Sequence, residues 1–312
     1  MPSVSVIIPT HRRPKLLPRA VASAQAAGRN VEVVVVDDAS TDETAEVCQS
    51  LTGITYIRLD RNRGVAGARN AGLVKSRGEY IALLDDDDTR LPNSLVAQIE
   101  ALEREPRAGL IYGRALLGDQ EGTPGKSSYP SELPDGDIFW KLLTRNFIPC
   151  GSVVFRRSCL TRVGLLDERI PGLDDWDLWV RMAEALPVLS SPEPIVIWRR
   201  STPGSNQGTS NAAALVSMSV RQFRDVWMNL PRSMQAEPKI AKAVWREFSE
   251  NMTEHLIWES ARALRWGLLH HPLRNLSIIS RLYPLSLMQI VRHRILRRPR
   301  SDLSASDSSF DM

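Results

Sequence analysis

The chain has 312 residues, which suits one large domain with an appendage, or two domains. With 43% hydrophobic and 24% charged residues, it has a soluble globular composition, which excludes a disordered or fibrous chain. A net charge of +4 is too mild to argue for nucleic acid, and three cysteines without metal-ligand spacing (Cys48, Cys150, Cys159) argue against a disulfide framework or a zinc site. A reducing cytoplasm fits that cysteine usage best.

The opening residues do not read as a signal peptide, because no basic segment precedes the short apolar stretch that Pro9 breaks. No run of about 18 apolar residues marks a transmembrane helix. Short β-branched runs occur at Val4–Ile8, Val31–Val36, Ile54–Leu59 and Tyr80–Leu84. Between them, Pro14–Ala27, Asp42–Leu51 and Val65–Ser76 read as helices. That alternation predicts βαβ units and a parallel sheet, and the unbroken apolar run Val33–Val36 suits a strand covered on both faces. A further helix is expected from Pro92 to about Glu105, with the proline in its first turn.

Beyond residue 106 the pattern loosens. Strands are expected at Gly109–Leu117, Ser152–Phe155 and Pro194–Trp198, a loop over Gly118–Gly136 and an amphipathic helix over Asp174–Ala185. The polar stretch 201–211 marks the end of the main domain. This places a first domain at 1–211, divided at about residue 110 into a regular half (1–110) and a looser half (111–211). Helical patterns follow at Ala212–Asn229, Lys239–Leu269 and Leu273–Leu296, giving a basic helical region over 212–300 and a polar, disordered tail over 301–312.

Ligands of open parallel sheets bind outside the carboxyl ends of the strands. Strand one runs there into Pro9-Thr10-His11, strand two into Asp37-Asp38 and strand four into Asp85-Asp86-Asp87-Asp88. Carboxylates at neighbouring strand ends repel one another and any anionic ligand unless a cation lies between them. Hard divalent ions are held by such carboxylates together with substrate phosphates, which points to a metal bridging the protein to a nucleoside diphosphate. A solvated acidic turn is the competing explanation for the tetrad, and its place directly after Ile81–Leu84 favours function.

Four ordered motifs, VSVIIPTHRR (4–13), VVVVDDASTDET (33–44), NRGVAGARNAGL (62–73) and GEYIALLDDDD (78–88), closely resemble the nucleotide-binding half of family 2 glycosyltransferases with the GT-A fold. The resemblance implies an α/β fold, Rossmann-like, with a mostly parallel sheet flanked by helices and followed here by a C-terminal helical extension, in which 1–110 is the nucleotide-binding half and 111–211 the acceptor half. It implies that Pro9, Thr10, Asp38, Arg69, Asp85 and Asp86 bind the nucleotide sugar, and that Asp87, in a DxD element, holds Mn²⁺ or Mg²⁺. Asp88 is expected behind these groups. The donor implied is a nucleotide-diphosphate sugar, most often a UDP-sugar, and the acceptor a glycan or lipid-linked hydroxyl in polysaccharide or glycolipid assembly.

An inverting transfer also needs a carboxylate to take the acceptor's proton. Asp174-Asp175 resembles the family's Glu-Asp pair at the start of a helix, which maps the base onto Asp175 with Asp174 in place of the usual Glu. Helix capping is the bland alternative for this acidic turn, and Trp176 and Trp179 fit either sugar stacking or the core. Two departures stand out. Trp198-Arg199-Arg200-Ser201 carries no histidine where the family often has one, and Arg12 stands where Asn is common.

Two rival functions fit parts of the sequence. Asp85-x-Asp87-x-Thr89 matches the nucleophile motif of haloacid-dehalogenase-type phosphatases, and a nucleotide-binding module without catalysis would keep the strand ends alone. Finally, Ser260–Ser301 holds nine arginines, three histidines and no acidic residue, leaving the rest of the chain at a net −5. Basic amphipathic helices of this kind suit an anionic membrane surface, a dimer interface or packing on the main domain. A cytoplasmic protein, peripheral on the inner face of the plasma membrane, is the expectation.

Overall fold

The computed structural model describes residues 3–199, 211–265 and 270–282. Of these, the residues within Met1–Ile138 and Phe147–Pro203 form one compact unit, and those within Phe139–Asn146 and Gly204–Met312 form a second. The expected disordered tail at 301–312, the polar break short of Asn211 and most of the basic window lie outside the described residues.

The first unit begins with four strands and three helices in strict alternation: β1 (Val4–Thr10), α1 (Leu17–Ala26), β2 (Val31–Asp37), α2 (Thr44–Ser50), β3 (Ile54–Arg58), α3 (Gly64–Lys75) and β4 (Tyr80–Leu83). β1 and β4 are buried along their whole length, as expected of strands covered on both faces. These four strands pair in parallel in the order β3-β2-β1-β4. Register places Thr10 beside Asp37, and Asp37 beside Arg58. Strand ends carrying polar residues are therefore brought to one edge of the sheet.

The chain then forms β5 (Thr89–Arg90), α4 (Ser94–Arg104), β6 (Leu110–Gly118) and β7 (Pro124–Tyr129). After α5 (Phe139–Thr144) it returns through a 3-10 turn at Cys150–Ser152 to β8 (Val154–Arg156), α6 (Cys159–Val163), α7 (Asp174–Ala185) and β9 (Val188–Arg199). The sheet order is β3-β2-β1-β4-β8-β6-β9-β5, with β7 paired to β6. β8 runs antiparallel to β4, opposing Val154 to Ala82, so the turn before β8 arrives beside the carboxyl end of β4. β9 pairs antiparallel with β5, opposing Ile197 to Thr89, which brings Arg199 to the same edge.

The structure differs from the sequence expectation in three places. Within the stretch expected as a loop, Pro124–Tyr129 forms an edge strand; its residues are largely exposed, so no apolar alternation announced it. Pro192 and Pro194 interrupt the pattern of β9, which nonetheless extends from Val188 past two register shifts against β6. Helix α5, inside the expected acceptor half, belongs to the second unit: it buries Phe139, Leu142 and Leu143, and Asn251 Nδ2 donates to the Thr144 carbonyl at 3.2 Å.

The second unit contains α5 with α8 (Ala212–Asp225), a 3-10 turn at Trp227–Asn229, α9 (Pro231–Met234), α10 (Pro238–Arg265) and α11 (His270–Leu282). Its core is aromatic: Phe223 stacks on Phe248 with centroids 4.5 Å apart, and Trp245 lies 5.7 Å from Phe248. The Arg224 guanidinium covers the Trp245 ring at 4.7 Å. No helix among the described residues is long and apolar enough to cross a membrane.

Helix α3 approaches the sheet closely because Gly72 has no side chain. A Cβ there would come within 2.4 Å of Ile7 Cγ2 and 3.2 Å of Val36 Cγ2. Gly72→Ala is therefore expected to destabilise the protein by about 1–3 kcal/mol through overpacking, offset by at most ~1 kcal/mol of helix propensity. A lowered denaturant midpoint at unchanged slope is the expected measurement.

Candidate active site

The acidic tetrad follows β4 as a tight turn, closed by the Asp88 amide donating to the Asp85 carbonyl at 3.1 Å. Asp86, Asp87 and Asp88 are buried, while the Asp85 side chain is 37% exposed. Burial of this many carboxyl groups demands partners, and each has one. Thr10 Oγ1 donates to Asp86 Oδ2 at 2.7 Å, and Arg13 Nη1 lies 2.8 Å from Asp86 Oδ1 and 3.1 Å from Asp87 Oδ2. Arg199 Nη2 reaches Asp87 Oδ2 at 3.1 Å, and the Arg199 amide donates to Asp88 Oδ1 at 2.9 Å. Burial raises Asp86 to about 6, against the pull of Arg13, and raises Asp88 well above the carboxylate range with Asp87 adding to the effect.

Arg69, buried on α3, bridges two segments far apart in sequence. Its Nη2 lies 2.6 Å from Asp85 Oδ1 and its Nη1 2.8 Å from Asp174 Oδ2. The start of α7 is thereby tied to the tetrad. Asp174 Oδ1 also accepts from the Gly172 amide at 3.3 Å. Asp175 is half-buried beside it, with Oδ1 2.6 Å from the Trp176 amide. Burial, reinforced by Asp174, raises Asp175 to about 7, although Arg69 opposes the shift.

Asp38 lies at the end of β2, buried, with its Oδ1 accepting from the Arg63 amide at 2.7 Å at the start of α3. Burial raises its pKa despite the amides of Arg63 and Gly64. Pro9 is buried within β1 opposite Val36. Trp176 and Trp179 are buried; Trp179 packs edge-on against Phe155 at 6.1 Å, so it belongs to the core rather than to a sugar-stacking surface. Arg12 adopts φ 55°, the left-handed region that Asn tolerates better than Arg, and its Nη2 donates to Thr41 Oγ1 at 2.8 Å.

Sequence reasoning assigned no role to three residues that the fold brings to this edge: Arg13, Arg199 and Cys150. Both arginines stand in pairs, Arg12-Arg13 and Arg199-Arg200, and the sequence does not show which member of a pair turns toward the carboxylates. Burial raises the half-buried Cys150 thiol well above its ordinary value, with Asp85, Asp175 and Asp174 adding to the shift and Arg69 opposing it; a thiol held protonated is no nucleophile. A separate cavity of about 550 Å³ beside α3, lined by Tyr56, Arg63, Val74, Leu165 and Glu168 among others, contains none of the predicted site residues.

Among the described residues, no group of three or more His, Cys, Asp or Glu side chains forms a metal cage. The hard oxygen donors of the Asp87 carboxylate would suit a divalent cation whose coordination substrate phosphate and water complete.

The α/β sheet gathers carboxylates and arginines at the carboxyl ends of its strands, and its strand order is that of a mostly parallel sheet flanked by helices, as in the GT-A fold. The sequence agrees: the family model for glycosyl transferase family 2 matches residues 5–163, and the chain belongs to that family. Membership removes the phosphatase reading of Asp85 and Asp87. The chain is 32% identical over 195 residues to an uncharacterized glycosyltransferase of Rickettsia felis, covering 60% of this chain and 32% of that protein. It is 44% identical over 103 residues to the succinoglycan biosynthesis protein ExoO of Rhizobium meliloti, covering 32% of this chain and 30% of that one. The chain thus spans about a third of the length of these relatives. In fold, it is similar to the mannosyltransferase PcManGT of Pyrobaculum calidifontis, solved in complex with GDP-Man and Mn²⁺, with a TM-score of 0.55, 18% identity and coverage of 91% of this chain and 88% of that one.

Removing Arg69 would leave Asp174 buried without its counter-ion. Arg69→Ala is expected to cost about 3–5 kcal/mol, the usual penalty for breaking a buried ion pair. Arg69→Lys, a point charge unable to reach both carboxylates as a fork does, should recover only part of the lost melting temperature.

Proposed function

We propose that the protein is an inverting glycosyltransferase that moves a sugar from a nucleotide-diphosphate sugar to an acceptor hydroxyl, with Asp175 as general base. The observation that carries this reading is the tie from Arg69 to both Asp85 and Asp174, which sets a poised carboxylate, Asp175, beside the strand-end carboxylates. Thr10 and Asp38, at the ends of β1 and β2, fit the nucleoside, with Pro9 shaping the strand end beneath it. Asp85 and Asp86 fit the ribose and diphosphate side, and Asp87 fits a cation shared with the diphosphate. When bound, Mn²⁺ or Mg²⁺ would offset the charge that grows on the departing diphosphate.

The chain's own groups supply the remaining chemistry. Asp175 Oδ2, the oxygen not engaged by the Trp176 amide in the contact above, is suited to accept the acceptor's proton as its oxygen attacks the anomeric carbon. Arg69, on α3, holds Asp174 at the first residue of α7 and fixes the orientation of that first turn. Asp174, one methylene shorter than Glu, is suited to orient the acceptor from deeper in the site.

The succinoglycan relative supports an acceptor in polysaccharide or glycolipid assembly. A UDP-sugar is the donor the family resemblance favours, and GDP- and dTDP-sugars belong in the same screen. The basic C-terminal helices fit an anionic membrane surface on the cytoplasmic side: α11 exposes Arg274, Leu276 and Arg281. Nothing in the site calls for nucleic acid.

Asp175→Asn is expected to reduce transfer by about 10²–10⁴-fold, the usual worth of a general base, while nucleoside diphosphate binding persists. Equal transfer by the variant would remove Asp175 from the mechanism, whereas nucleotide binding by a wild type that transfers no sugar would leave a binding module as the better reading. Because Asp175 is raised to about 7, it is protonated and inactive at lower pH. The kcat/KM of the wild type should therefore rise as pH increases through 7, and that inflection should vanish from the residual activity of the variant. For the membrane, Arg274→Glu with Arg281→Glu should reduce co-sedimentation with phosphatidylserine vesicles at low salt; unchanged binding removes α11 from the contact.

A further inference from the structure

The strand-end cluster holds three arginines that do different work. Arg69 is committed to two carboxylates, one on each terminal nitrogen, and is 4% exposed. Arg13 and Arg199 instead converge on one oxygen: both lie 3.1 Å from Asp87 Oδ2. Two guanidinium groups on a single carboxylate oxygen repel each other, and a second anion between them relieves that repulsion.

Arg199 carries a further mark. It is 8% exposed, and its buried Nε has no hydrogen-bond partner among the described residues. An unpaired buried N–H is costly, and an anionic oxygen is the acceptor that satisfies it best. Arg13 is more open, with a side chain 22% exposed, and its pairs with Asp86 and Asp87 both use Nη1. A guanidinium presents five donors in a planar fork, so the edge formed by Nε and Nη2 suits a phosphate.

Position agrees with this chemistry. Arg13 lies three residues past the end of β1 and Arg199 is the last residue of β9. The acids between them are those that would otherwise repel a diphosphate. We propose that Arg13 and Arg199 form a diphosphate-binding pair, which steadies Asp87 and also takes the phosphate oxygens of the nucleotide. This rests on the reading of the chain as a nucleotide-sugar transferase and adds to it a cationic subsite made by the protein itself. The diphosphate would then bind in the absence of any metal.

Calorimetry on the full chain tests the pair directly. UDP, GDP and dTDP are titrated in EDTA and again with Mn²⁺, alongside the matching nucleoside monophosphates and nucleosides. The expected result is that at least one diphosphate binds in EDTA, about tenfold or more tighter than its monophosphate, the worth of one charge-assisted hydrogen bond. Arg199→Gln and Arg13→Gln should each lower that affinity about tenfold or more while the nucleoside affinity stays within about twofold. Arg199→Lys should recover part of the loss.

Equal affinity for diphosphate and monophosphate in EDTA would overturn the pair, and that comparison needs no variant to fold. Binding that appears only with Mn²⁺ would also overturn it, while leaving the transferase reading intact. Equal losses of diphosphate and nucleoside affinity in the variants would reduce the arginines to supports of the fold and overturn the proposal. No binding of any nucleotide by the wild type, with or without Mn²⁺, would overturn the transferase reading and the pair together.

Discussion

Carboxylates crowded into a nearly dry cleft set the terms for the rest of the first unit. Asp86, Asp87, Asp88 and Asp174 are each at most 5% exposed, and Asp85 and Asp175 are half-buried beside them. Such a cluster survives only where cations and hydrogen-bond donors are brought to it, because a buried charge without a partner costs several kcal/mol. The fold meets that demand from three separate segments. Thr10 ends β1 and Arg13 follows it, Arg69 comes from α3, and Arg199 closes β9. Each of those segments is held by apolar packing that has nothing to do with nucleotides, from the buried strands of the parallel sheet to the contact of Gly72 with Ile7.

The acid and arginine cluster also has a cost in stability. A carboxylate raised toward neutrality by burial, as Asp175 is, stores unfavourable solvation energy in the folded state. The folded chain binds its proton more tightly than the unfolded chain does. Its contribution to stability is therefore greatest at low pH and is lost as pH rises from the ordinary aspartate range toward 7. Under the proposed function, the same shift would suit the carboxylate to act as a base near neutral pH. A neutral core residue would be more stable in its place.

Much of this architecture was legible because periodicity and strand-end chemistry agree in the first hundred residues. Val33–Val36 could only be a strand buried on both faces, and a polar residue directly after such a run falls at the edge where ligands bind. The second half was less legible for physical reasons. Exposed β7 has no apolar face to announce it, the prolines of β9 mimic a break, and α5 joins the C-terminal helices through contacts remote in sequence. The candidate site divides in the same way. Acidic residues in motifs were visible as a set, whereas Arg13 and Arg199 acquire meaning only from convergence on Asp87, a relation between residues 112 positions apart in the case of Arg199.

That convergence changes what the net charge says. A chain of +4 with nine arginines in one window reads as an acidic body with a basic tail. Yet the body is acidic in sum only. At the carboxyl edge of its sheet, Arg13, Arg69 and Arg199 interleave with six aspartates, and the local charge depends on which carboxyls hold protons. Burial raises Asp86, Asp88 and Asp175, which moves the cluster toward neutrality at moderate pH. An anionic ligand entering such an edge meets guanidinium donors set among carboxyls that burial inclines to keep their protons. The acidic tetrad is thus compatible with a diphosphate through the arrangement of its partners, and the sequence of four aspartates alone would have suggested the opposite.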